Sequence, residues 1–262
     1  MRRAAPVALV LAPLLAALGL AAAHADIARA DRKSGAEFMS AETQAMQRDD
    51  TANPGMLSAL DGEALWNEKA GAAGKACADC HQDATATMKG VSARYPAFDA
   101  GAGRVIDLQS RVNMCRQDQQ KAKPLAFESR ELLALTAFIG LQSRGMPIAP
   151  PDQPQVKAAQ ARGKALWEQR MGQLDFSCAQ CHDQNWGRKL GSAPIPQAHA
   201  AGYPIYRLEW QSMGSLQRRL RNCMSGVRGE AFPFGAPEFV DLEAYLAARA
   251  EGMPVETPGV RP

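Results

Sequence analysis

Cys77-Ala78-Asp79-Cys80-His81 and Cys178-Ala179-Gln180-Cys181-His182 are the two stretches that decide how this chain is built. In each, two thiols stand three residues apart and an imidazole follows at once. On one helical turn both sulfurs can add to the vinyl groups of one porphyrin, while the histidine coordinates the iron from the same side. A single box of this kind arises by chance. Two in repeated surroundings favour haem over a thioredoxin-like dithiol or a zinc site. Two covalently bound haem c groups are therefore expected, one on Cys77, Cys80 and His81 and one on Cys178, Cys181 and His182.

The repeat extends beyond the boxes. Gly62-Glu63-Ala64-Leu65-Trp66 returns as Gly163-Lys164-Ala165-Leu166-Trp167, at the same offset of 101 as the boxes. Tyr95-Pro96 returns as Tyr203-Pro204 and Cys115 as Cys223, both at an offset of 108, and Gly145-Met146-Pro147 returns as Gly252-Met253-Pro254 at 107. Two similar domains follow, the second carrying a net insertion between Asp183 and Gly202. Each unit reads as helices with few strands: one around Leu65 or Leu166, a short one holding the box, one ending near the downstream cysteine, and a last apolar helix at 132–141 or 239–248 that stops before Gly-Met-Pro. This is the layout of a class I cytochrome c domain. The expected fold is mainly α, a tandem duplication of two such domains at 55–146 and 155–262. Prolines make 147–154 a linker. A polar arm, 26–54, precedes the first domain, and the sequence does not place it.

Residues 1–25 read as a cleaved export signal: Arg2 and Arg3, an apolar run from Pro6 to Ala22, and Ala23-His24-Ala25 as a small-x-small cleavage site. An uncleaved membrane anchor is the alternative. The destination lies outside the cytoplasm, and no later segment is apolar and long enough to span a bilayer. Loss of Arg2 and Arg3 lowers the formal charge from +3 to +1. Such a balance gives no footing for a nucleic-acid partner. Aromatic residues make up only 6% of the chain, and buried porphyrins would supply flat apolar surface in their place.

Axial ligation departs from that of an ordinary electron carrier, which pairs the proximal histidine with Met or a second His. After signal removal His199 is the one histidine outside the boxes. Met146 and Met253 match but follow the last helix; Met114 and Met213 are not shared by both units. Both units do share a cysteine, Cys115 or Cys223. Val105, Leu108, Val112 and Cys115, like Met213, Leu216, Leu220 and Cys223, follow a spacing that continues one apolar helix face. Thiolate ligation of both irons is the favoured reading; an interdomain disulfide and inert buried thiols remain beside it. Thiolate ligation would lower the iron potential and points to chemistry at sulfur. Arg218, Arg219, Arg221 and Arg228 crowd around Cys223. They offer forked donors to a small oxyanion, Arg219 from one turn before the cysteine. A solvated basic face and a propionate partner are the alternatives, because Arg111 bears the same relation to Cys115.

With the boxes, the two downstream cysteines and Arg219-Leu220-Arg221-Asn222-Cys223-Met224-Ser225-Gly226-Val227-Arg228 in view, the chain resembles the diheme SoxA subunits of SoxAX cytochromes over essentially its whole mature length. That resemblance implies an L-cysteine S-thiosulfotransferase of the periplasm, paired as a heterodimer with a small monohaem cytochrome, SoxX. It implies thiosulfate as substrate, a cysteine of the SoxYZ carrier as acceptor, and cytochrome c as electron acceptor. By the same resemblance Cys223 is the catalytic persulfide and an iron ligand. Arg219 is expected to bind substrate, helped by Arg218 or Arg228; the metal ligands are expected to be His81, Cys115, His182 and Cys223. Two further classes fit parts of the pattern. A diheme electron-transfer cytochrome requires Met or His distal ligands, and a diheme peroxidase requires one five-coordinate haem.

Overall fold

The structure, a computed structural model, describes residues 27–262; the expected signal at 1–25 lies outside the described residues. The chain opens with short 3-10 turns and helix α1 (Ala41–Arg48), which starts where the Ser40 hydroxyl accepts from the Thr43 amide. The first unit contains α2 (Gly55–Asn67), α3 (Ala78–His81), α4 (Ala84–Thr87), a hairpin of β1 (Ala97–Asp99) and β2 (Arg104–Ile106), α5 (Leu108–Cys115) and α6 (Arg130–Leu141). The second unit repeats the order. It contains α7 (Pro154–Glu168), α8 (Cys178–His182), a small hairpin of β3 (Lys189–Leu190) and β4 (Ala193–Pro194), and a second hairpin of β5 (Ile205–Arg207) and β6 (Ser212–Gly214). It ends with α9 (Leu216–Gly226), α10 (Pro237–Arg249) and a final strand β7 (Gly259–Arg261), which runs parallel to β5.

The repeated Gly-x-Ala-Leu-Trp segment sets the helix crossings. A Cβ on Gly62 would stand 2.1 Å from the Ala134 carbonyl oxygen, and one on Gly163 would stand 2.0 Å from that of Asp241. Only glycine lets α2 lie on α6, and α7 on α10, at this distance. The tryptophan one turn later fills the space beside the box. Trp66 joins Val112, Leu132, Leu135 and Phe138 in one core, and Trp167 joins Leu220, Met224, Phe239 and Leu246 in the other.

The hairpins are exchanged between the units. Val105 on β2, with Phe98 on β1, packs against Val156, Ala159, Val240 and Ala244 of the second unit, whereas Met213 and Tyr206 pack against Leu133 and Ala137 of the first. This corrects the expected helix faces. Val105 and Met213 are strand residues, because Asp107 and Ser215 cap α5 and α9 by accepting from the amides of Ser110 and Arg218, so neither helix extends back to them. Leu108, Val112 and Cys115, and Leu216, Leu220 and Cys223, still share a face.

The two Gly-Met-Pro segments pair with one another: Gly145 donates to the Val255 carbonyl and Gly252 to that of Ile148, each at 2.8 Å. The proline-rich segment is thus docked along this seam, and its last residue, Pro154, already begins α7, where a missing amide proton costs nothing. The N-terminal arm lies mainly on the second unit. The Asn53 amide donates to the Pro258 carbonyl at 2.9 Å, and the Val260 amide to Gln47 at 2.9 Å. An ion pair between Asp50 and Arg144 ties the arm to the first unit. No helix among the described residues is long and apolar enough to cross a membrane.

Candidate functional site

Each box occupies a single helical turn, as its spacing requires. Around the first, a cavity of about 390 Å³ is lined by Trp66, Cys77, Cys80, His81, Leu108 and Val112, with Cys115 across from the box. Arg94, Arg111 and Arg116 also reach it, and the Arg116 Nε is buried without a partner. An apolar slot lined by two thiols, an imidazole and a third sulfur, with one guanidinium nitrogen lacking a partner at its edge, suits haem c, whose propionates would pair with that nitrogen. In the second unit Ser177 forms a capping box with Gln180 and so starts the helix at Cys178. Burial pushes the Cys178 thiol up to about 12, with the nearby Cys223 adding to the effect; that wall accepts a neutral sulfur such as a thioether.

The two histidines are held differently. His182 Nδ1 lies 2.6 Å from the Pro196 carbonyl oxygen. A carbonyl can only accept, so Nδ1 carries the proton and Nε2 is left with its lone pair available to a metal. Pro196 belongs to the insertion anticipated between Asp183 and Gly202, which also includes the β3–β4 hairpin. The insertion therefore acts as a clamp on the His182 ring. Nothing equivalent holds the His81 ring among the described residues, although Trp66 and Trp167 stand similarly against the two imidazoles, with ring centroids at 5.6 and 5.5 Å. His199 is buried and held to the Lys33 carbonyl of the arm at 2.9 Å, with its pKa lowered by burial.

Cys115 and Cys223 are both free thiols, each facing its own box, and their surroundings are opposed. Burial raises the Cys115 pKa; Arg111 counteracts this, while Asp118, Cys80 and Asp99 add to it. Burial also pushes Cys223 up, but His182, Arg219 and Arg207 outweigh it and hold the thiol below its ordinary value. Arg219 is raised in return, chiefly by Cys223, against the cost of burial. The other arginines of the cluster are occupied or remote. Arg218 donates to the Met213 carbonyl at 3.3 Å and lies over Trp210 at 4.0 Å. Arg221 binds the Phe232 carbonyl, and Arg228 is exposed beyond the end of α9. Arg207 went unnoticed because it lies outside the cluster. The signal was present: at the offset of 108 that relates the downstream cysteines, Arg207 falls on Asp99.

The family model "SoxA/TsdA, cytochrome c domain" matches this chain at residues 61–148 and again at 162–255. The L-cysteine S-thiosulfotransferase subunit SoxA of Pseudaminobacter salicylatoxidans is 39% identical over 87% of this chain and 80% of its own length. The protein of the same description from Rhodovulum sulfidophilum is 36% identical over the same shares. Among solved structures, a chain of SoxXA from P. pantotrophus superposes with a TM-score of 0.85 at 32% identity, covering 88% of this chain and 87% of that one.

Proposed function

Because this chain belongs to the SoxA/TsdA cytochrome c family, we propose that it is an L-cysteine S-thiosulfotransferase subunit acting in thiosulfate oxidation. It would join thiosulfate to a cysteine of the SoxYZ carrier, at the second of two haem c sites. The observation that carries this reading is Cys223: its sulfur faces the fixed His182, its pKa is held down, and beside it stands Arg219, whose guanidinium makes no hydrogen bond among the described residues. An electron relay has no use for that combination. The residues present suit haem c: Cys178, Cys181, His182 and Cys223 would hold one group, and Cys77, Cys80, His81 and Cys115 the other.

The chemistry balances as follows. A persulfide on Cys223, Cys–S–S⁻, joins the terminal sulfur of thiosulfate, ⁻S–SO3⁻, to give Cys–S–S–S–SO3⁻ with loss of two electrons. The carrier thiolate then attacks the sulfur next to the sulfonate. A carrier S–S bond forms, the bond to the Cys223 persulfide breaks, and Cys–S–S⁻ is regenerated with carrier–S–S–SO3⁻ released. Haem bound at this site supplies the route by which the electrons leave, one at a time, toward a cytochrome c acceptor. Arg219 holds the sulfonate end by charge-assisted hydrogen bonds. His182, its ring fixed by Pro196, and Trp167 set the floor opposite Cys223.

The match to a chain of a solved SoxXA complex supports a heterodimer with the SoxX monohaem cytochrome. Leu174, Phe176, Trp186 and Leu190, large and exposed around the second box, suit such a contact. The expected signal at 1–25 supports a periplasmic location. Intact-mass and peptide mass spectrometry of the mature protein tests the reading. The expected result is two haem additions and one extra sulfur on the Cys223 peptide. Two haems with an unmodified Cys223 that does not bind iron would point instead to a diheme electron-transfer cytochrome.

A further inference from the structure

Aligning the two units on their downstream cysteines turns a small difference into a charge reversal. Arg111 and Arg219 occupy the same place one turn before Cys115 and Cys223. In the first unit Arg111 forms an ion pair with Asp99 at the end of β1, and its Nε donates to the Tyr95 hydroxyl at 3.1 Å. The guanidinium is spoken for. In the second unit the residue at the end of the equivalent strand β5 is Arg207, so the partner that neutralises Arg111 has become a second cation. Arg219 has no hydrogen-bond acceptor among the described residues.

Arg207 is itself largely enclosed, with 13% of its side chain exposed. It is anchored rather than loose: Nε donates to the Pro262 carbonyl at 2.9 Å, one amino group to Glu209 at 2.8 Å, and its plane lies 4.9 Å from the Trp210 ring centre. Burial and the nearby Arg219 lower its pKa, and Glu209 opposes them. Two guanidinium groups are thus held within each other's field in partly dry surroundings, and both act on the Cys223 sulfur. Glu209 offsets part of the cost of such a pair, and an anion entering between the two guanidinium groups would offset the rest.

We propose that Arg207 is a second anion-recognition residue of the Cys223 site. The replacement of Asp99 by Arg207 in the repeat then makes the second unit, and not the first, the one that takes a doubly charged sulfur oxyanion. This deepens the function proposed above and rests on it. Arg219 and Arg207, with Glu209 as one counter-charge, leave a net positive charge for an anion, whereas Arg111 and Asp99 cancel and leave nothing for one to bind.

Steady-state kinetics of the haem-loaded SoxAX complex with thiosulfate and the SoxYZ carrier, at low ionic strength, tests this. Arg207→Gln is expected to raise the thiosulfate KM about tenfold with kcat nearly unchanged, the loss of one charge-assisted hydrogen bond. Arg207→Lys should restore most of the affinity. Arg207→Asp, which recreates the first unit's ion pair, should raise KM about a hundredfold. Glu209→Gln removes an exposed counter-ion without touching the core and should lower KM about twofold. An unchanged KM in Arg207→Gln with an intact haem spectrum overturns the inference. If that variant loses haem, an unchanged KM in Glu209→Gln overturns it instead. Failure of the wild-type complex to conjugate thiosulfate would sink the proposed function itself, a result distinct from either.

Discussion

Gln217 on α9 donates to Asp107, the cap of α5, at 2.8 Å, joining the two cysteine-bearing helices across the seam between the units. Around this bond lies a cavity of about 140 Å³ lined by Asp107, Gln109, Tyr95, Tyr203 and Glu243, and Gln217 also reaches Glu243. Burial raises Glu243 well above its ordinary value; Asp107 and Glu128 add to that, and Gln217 opposes it. Asp107 is raised by burial against Ser110 and Arg104, and Glu128 by burial against Ser215 and Arg218.

Carboxyls raised in the folded state bind protons that the unfolded chain has released. Their contribution to stability is complete below about pH 4 and is lost as pH climbs through the raised values. Thermal unfolding of the haem-loaded protein from pH 4 to 9 should therefore show a downward slope that Glu243→Gln flattens. An equal slope in both proteins would contradict this account.

The closeness of α7 to α10 predicts that Gly163→Ala lowers stability by about 1–3 kcal/mol, since the new methyl meets a backbone carbonyl at 2.0 Å and the helices must part. Gly226, near the end of α9, has open space around its Cβ position, and Gly226→Ala should be neutral or slightly stabilising. Melting temperatures of the two variants, compared with wild type, distinguish crossing glycines from permissive ones.

Asp183 accepts from Trp167 Nε1 at 2.8 Å and from Arg249 at 2.7 Å, and the Arg249 side chain is only 4% exposed. Asp183→Ala strands that charge beside the second C-x-x-C-H box. The cost should be about 3–5 kcal/mol, a fall in Tm of about 10 °C for a chain of this size. A fall of only a degree or two would mean that water or the Gln197 carbonyl, already 3.1 Å from Arg249, satisfies the guanidinium.

Under the proposed function, Cys223→Ser should abolish turnover while haem attachment is unchanged from wild type, because the box cysteines are untouched. Arg219→Ala should raise the thiosulfate KM about ten- to a hundredfold with a smaller effect on kcat. Wild-type turnover by the serine variant would remove Cys223 from the mechanism.

Much of this architecture was legible from spacing. The boxes, the repeated Gly-x-Ala-Leu-Trp segment and the four helices of each unit follow from local periodicity, and the structure places them as read. Leu108, Val112 and Cys115 were grouped correctly because a helix maps a spacing of three or four onto a face. Val105 was misplaced because the same arithmetic, carried past a capping Asp107, has no physical meaning. Arg218 and Arg228 drew attention through nearness in sequence, yet one stacks on Trp210 and the other faces solvent.

The amino-acid sequence, read without coordinates, was enough for the duplication, the two C-x-x-C-H turns and the candidate sulfur, since each depends on residues within a turn or two of one another. The folded molecule was needed for everything joined across long separations. The exchanged hairpins, the arm lying on the second unit, the Pro196 clamp on His182 and the buried carboxyl group around Gln217 are of this kind. So is the contrast between Arg111, neutralised by Asp99, and Arg219, which has no hydrogen-bond acceptor among the described residues. Each arises from contacts whose partners stand far apart along the chain, where burial and charge balance depend on which surfaces the fold brings together.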